Sequence, residues 1–179
     1  MDPGLGNGGS LFFAAVPDLD TAAKIHRLAG ILRRAHRFEG ALIVPGCLHV
    51  SLLSLGGWSE QSVRSACEAV ADVKMIPFEV SFDHTASFGG RPGNRPLVLL
   101  ADDTSDRLKS LGQRLGAAIA EKRMGRRAVR DFTPHVTLLY GERAIGEYPV
   151  EPIRWTVNEF VLIHSLRGHA HLARWRFDV

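Results

Sequence analysis

Apolar residues fall along the chain in two rhythms. Short runs rich in β-branched and aliphatic side chains, at 11–16, 48–55, 77–82, 97–101, 135–139, 155–164 and 172–177, read as strands. Between them the apolar positions recur at helical spacing. Ile25, Leu28, Ala29 and Leu32 form one stripe behind a cap at Asp18 or Asp20. Val63, Ala66, Cys67 and Val70 form another behind Ser59, and Leu108, Leu111, Leu115 and Ile119 a third within a helix predicted over 104–124. Gly89–Pro96 reads as a turn-forming loop with Arg91 and Arg95 at a solvated hairpin tip, and a Gly/Glu/Pro connection follows Tyr140. The order is β-α-β-α-β and then β-α-β-β-β. Antiparallel returns with helices on one face predict an α+β protein.

One stretch occurs twice. His49-Val50-Ser51-Leu52-Leu53 returns as His135-Val136-Thr137-Leu138-Leu139, 86 residues later (135 − 49), about half the chain. Side chains alternate across a strand, so His49 and Ser51 share one face and Val50 and Leu52 the other. His135 and Thr137 divide from Val136 and Leu138 in the same way. Core packing has no reason to ask twice for the same polar pair, because an apolar pair would pack without needing partners. Two imidazoles across one cleft are what acid–base chemistry at a phosphate requires. Ser51 and Thr137 are the candidate phosphate-holding hydroxyls. Arg130, five residues before His135, joins them as the one arginine singled out from the cluster Arg123, Arg126, Arg127 and Arg130.

Composition narrows the picture without adding to it. With 45% hydrophobic and 23% charged residues, the 179-residue chain has the balance of one globular domain at 11–179, behind a Gly-rich tail at 1–10 expected to be disordered. The tail contains a formal GxGxxG, but a strand follows it and nothing precedes it, so it is no dinucleotide fingerprint. A net charge of +3, mostly arginine on the basic side, suits an anionic ligand. Arg33, Arg34 and Arg37 are explained by the C-terminal dipole of their helix. Cys47 and Cys67 lack the spacing of a zinc site or disulfide framework and are expected to be free thiols. No apolar run is long enough to span a membrane and no signal peptide is visible, so a cytoplasmic location is expected; a monomer is expected as well. His169-x-His171 has no acidic partner and reads as a surface loop pair rather than a metal site. His26, His36, His84 and His164 receive no role. No GxSxG elbow points to a serine hydrolase.

The paired H-x-[S/T] strands resemble the two-histidine phosphoesterases, in their 2′-5′ RNA ligase-like (LigT-type) branch. Phe12-Phe13-Ala14, Leu48, Arg130-Asp131-Phe132-Thr133-Pro134, the strand Trp155–His164 and Arg174-Trp175-Arg176 extend the likeness over about residues 11–177. The resemblance implies a bilobal fold with pseudo-twofold symmetry, in which antiparallel sheets line a central cleft and helices pack outside. It implies hydrolysis of a 2′,3′-cyclic phosphate at an RNA or nucleotide end to a 2′-phosphomonoester, with no metal and no cofactor. It gives His49 the acid's part and His135 the base's, although the near-symmetric motifs do not themselves distinguish the two. Ser51 stands where Thr is commoner in the family, and the hydroxyl is kept. ATP-independent RNA ligation, a non-catalytic RNA-end binder and a metal hydrolase are the alternatives.

Overall fold

The first alternating run folds as strand β1, Ser10–Ala15, in the computed structural model of the chain, which describes residues 9–103, 105–122 and 132–178. Helix α1, Leu19–Ala35, follows, its first turn closed by the Asp18 carboxylate accepting from the amide and hydroxyl of Thr21, both at 2.8 Å. Those contacts hold the Asp18 carboxyl below its ordinary pKa. A 3-10 turn at Pro45–Cys47 leads into β2, Val50–Gly57. Helix α2, Glu60–Val70, is capped by Ser59. The hairpin β3, Phe78–Ser87, and β4, Arg95–Ala101, carries Arg91 at its exposed tip. Helix α3, Asp106–Glu121, precedes β5, His135–Gly141. The chain closes with β6, Tyr148–Val157, β7, Glu159–Ser165, and β8, His169–Arg176.

All eight strands form one antiparallel sheet in the order β6-β3-β4-β5-β2-β1-β7-β8. The unit β1-α1-β2 is matched by β4-α3-β5, and the two copies of the repeat, β2 and β5, meet at the centre. Their seam is a single pair, Val50 opposite Val136. The outer strands are exchanged between sequence halves: β3 joins the half of β4 and β5, while β7 and β8 join the half of β1 and β2. Helices cover one face only. Leu11, Phe13, Val50, Leu52, Val136 and Leu138 are buried there against Ile25, Leu32, Leu111 and Leu115. The opposite face around the seam is left for His49, Ser51, His135 and Thr137.

Three local expectations are corrected. The run at 155–164 is two strands, because Asn158 is where the chain leaves β3 and crosses to β1. β6 also starts earlier than its prolines suggest. It is an edge strand, where Pro149 and Pro152 forgo no ladder bond the sheet needs. Finally, His169 and His171 lie in a strand rather than a loop. A tight turn through Gly168, at φ 116°, sets Ser165 opposite His169 and Ile163 opposite His171.

Candidate active site

The repeat places its polar residues by simple register. With Val50 opposite Val136 in an antiparallel pair, one step either way sets His49 opposite Thr137 and Ser51 opposite His135. Each imidazole thus has its own copy's hydroxyl along the strand and the other copy's hydroxyl across it. A cleft of about 360 Å³ opens over this square, lined by Ile43, Cys47, His49, Ser51, His135, Thr137, Tyr140, Ser165 and His169. The structure therefore brings together four of the five residues expected from sequence. The fifth, Arg130, lies outside the described residues, as do Arg123, Arg126 and Arg127.

Both histidines are held by the same device. Nδ1 of His49 is 2.8 Å from the carbonyl of Cys47, and Nδ1 of His135 is 2.7 Å from the carbonyl of Thr133, in each case two residues upstream. A carbonyl only accepts, so Nδ1 carries the proton in both neutral rings and Nε2 keeps the lone pair. Nε2 of His49 receives the Ser51 hydroxyl at 3.1 Å. Aromatic neighbours fix the ring planes: Phe12 lies 5.0 Å from His49, and Phe88 lies edge-on 4.8 Å from His135.

The two imidazoles are not electrostatically equal. Burial drives the His49 pKa down to about 4, and the neighbouring His169, His135 and His171 push the same way, against the bond to Cys47. His49 is neutral at pH 7. Its cost to stability has a defined window. The unfolded chain takes up a proton near the ordinary 6.5 and the folded chain only near 4, so stability falls as pH drops between these values. The loss amounts to about 3 kcal/mol at most. Denaturant titrations at pH 7.5 and 4.5 should show His49→Gln losing less stability than the parent over that interval. An equal loss in both proteins would remove the burial argument.

His169, Ser165 and Tyr140 are cleft residues that sequence reasoning missed. His169 packs edge-on against His49 with ring centres 4.9 Å apart, and burial lowers its pKa as well. His171, two residues on, lines a separate hollow and accepts from Arg174 at 2.9 Å. Tyr140 reaches the cleft through a bulge. The pairing with β4 runs Leu97–Leu139 and then Val98–Thr137, so Leu138 is the extra residue. Leu138 and Leu139 both turn to the helical side, and Tyr140 arrives on the face of His135 and Thr137. The first copy has the same device at Leu52, skipped between Phe13–Leu53 and Ala14–Ser51. The doubled leucine that ends each copy is the one sequence signal for it.

A family model described as the 2′-5′ RNA ligase superfamily matches residues 16–169. An RNA 2′,3′-cyclic phosphodiesterase of Archaeoglobus fulgidus is 28% identical over 127 residues, covering 70% of this chain and 69% of the relative. The crystal structure of E. coli LigT complexed with NADP+ superposes with a TM-score of 0.70 at 26% identity, over 94% of this chain and 98% of that one. A Thermus thermophilus protein, TT0787, superposes with a TM-score of 0.74 at 21% identity, over 94% and 97%. That last likeness speaks for the fold.

Proposed function

The chain belongs to the 2′-5′ RNA ligase superfamily, and from that footing we propose that it hydrolyses 2′,3′-cyclic phosphates at RNA or nucleotide ends to 2′-phosphomonoesters without a metal. The observation that carries the reading is the pair of Nδ1-anchored imidazoles set diagonally among two hydroxyls across one seam. The relative named as an RNA 2′,3′-cyclic phosphodiesterase supports the substrate class. In this reading Ser51 and Thr137 donate to the non-bridging oxygens and hold phosphorus between the two Nε2 atoms. His135 takes a proton from water through Nε2 as the water oxygen bonds to phosphorus. The ribose 3′ oxygen leaves from the opposite apex with the proton of His49, and the phosphate stays on the 2′ oxygen.

The acid's part asks His49 for a proton that burial denies it in the free protein. The anionic cyclic phosphate supplies the missing partner: a negative charge beside Nε2 favours the imidazolium, so proton uptake accompanies binding. No carboxylate is available in the described lining of the cleft to do this instead. The substrate thereby charges its own acid.

The direct test is a panel of 2′,3′-cyclic mononucleotides and cyclic-phosphate-ended oligonucleotides in excess chelator, with phosphorus NMR of the product. Turnover unaffected by chelation, giving the 2′-phosphate alone, is expected. Activity lost on chelation and restored by a divalent ion would replace this mechanism with a metal-bound hydroxide. A 3′-phosphate product would overturn the pose, and no turnover of any cyclic phosphate would leave an RNA-end binder.

A further inference from the structure

The outer face of α1 carries a second concentration of chemistry that the cleft does not use. His26, Arg27, Gly30, Ile31, Arg33, Arg34 and Leu42 line a groove of about 340 Å³. Its ionisable lining is basic throughout, and among the described residues no ion pair involves Arg27, Arg33 or Arg34. The helix dipole accounts for Arg33 and Arg34, which stand in the last turn. It does not account for Arg27. That residue sits at mid-helix, where the dipole gives a cation nothing, and Arg27 and Arg34 are both exposed on one side of the helix.

The groove also abuts the cleft. Leu42 is in its wall, and the next residue, Ile43, is in the wall of the cleft. This segment lies along the edge of β5 where β2 diverges from it: Ile43 donates its amide to the Leu138 carbonyl at 2.8 Å, and Leu42 bridges to Leu139. The approach is so close that a Cβ at Gly40 would run into the Tyr140 carbonyl. From the helix side, Nδ1 of His26 donates to the Ile43 carbonyl at 3.1 Å. One short segment therefore lines the groove through Leu42 and the cleft through Ile43, and it is bonded both to α1 and to β5.

We propose that this groove binds backbone phosphates of the RNA strand whose cyclic-phosphate end occupies the cleft, which makes an oligonucleotide a better substrate than a mononucleotide. The inference rests on the cyclic-phosphate reading of the cleft for the identity of the strand's end. Guanidinium forks match phosphate oxygens two at a time, and such contacts carry affinity without sequence preference. A shallow, exposed groove suits a strand laid along it better than a single enclosed nucleotide.

The test uses the full chain with Arg27→Glu and Arg34→Glu combined, and the Gln pair as a second variant should charge reversal disturb folding. Neither side chain has an ion-pair partner among the described residues, so melting curves should be unchanged. Binding of a fluorescent single-stranded oligoribonucleotide ending in a 2′-phosphate is followed by anisotropy across a salt series. The double variant should bind about tenfold more weakly, and the slope of log affinity against log salt should flatten by about 1.4, two phosphate contacts' worth. In turnover, kcat/KM should fall for a cyclic-phosphate-ended oligonucleotide, while a 2′,3′-cyclic mononucleotide, too short to reach α1, serves as the control for the cleft. Unchanged oligonucleotide affinity and salt slope would overturn the groove. So would equal losses on both substrates. Weakened oligonucleotide binding in a protein that turns over neither substrate would count against the hydrolytic reading and leave the groove standing.

Discussion

Replacing His49 or His135 by alanine is expected to cut turnover of a 2′,3′-cyclic phosphate by ~10²–10⁴ in each case, the range for loss of one positioned proton-transfer group. The two losses should be similar, because the sites are built alike: each ring is pinned through Nδ1 to a carbonyl two residues back and presents Nε2 to the cleft. They should also combine to less than their product, since a step that needs both groups gains little from either alone. Folding should survive. Both rings lie on the sheet face away from the helices, outside the cluster built on Val50, Leu52, Val136 and Leu138. Melting temperature and steady-state kinetics on the same preparations would check both halves of the claim. Near-full activity in either variant would remove that histidine from the mechanism. Collapse of the fold would mean the ring is a packing element instead.

The repeat made the site legible because its polar and apolar letters obey the two-residue period of a strand, and a duplicated hydroxyl–imidazole pair has no packing rationale. It could not show how the copies meet. That depends on one antiparallel pair at Val50 and Val136, and nothing local to either strand encodes its partner. The interleaving of halves was hidden for the same reason: β3 follows α2 in sequence but hydrogen-bonds into the other half. Tyr140 was invisible because alternation counted from His135 assigns it to the wrong face until the bulge at Leu138 shifts the count. His169 was misjudged on chemistry. Its spacing to His171 reads as a surface loop pair, whereas β8 sends His169 to the cleft and His171 to another hollow. On α1 the dipole explanation covers the last turn and conceals that Arg27, about two turns earlier, belongs to the same groove.

A sulfur leaving group should separate the two histidines' roles. In a 2′,3′-cyclic phosphorothiolate with sulfur at the 3′ position, the departing group is a thiolate, whose conjugate acid has a pKa of about 8.5. An alkoxide is a far stronger base and leaves well only when protonated as the bond breaks, so sulfur needs a general acid much less than oxygen does. If His49 is the acid, His49→Ala should recover most of its ~10²–10⁴ deficit on the sulfur substrate, while His135→Ala, still lacking the group that activates water, should recover little. The comparison is made within each variant as the ratio of sulfur to oxygen rates, which cancels differences in protein quality. It bears directly on the tension at His49, whose burial favours the neutral ring in the free protein and whose part as acid depends on charge brought by the substrate. Rescue of His135→Ala instead would exchange the roles, and the low pKa of His49 would then mark it as the base. Rescue of neither would mean that the 3′ bond is not the one broken, and the 2′ sulfur isomer would become the substrate to try.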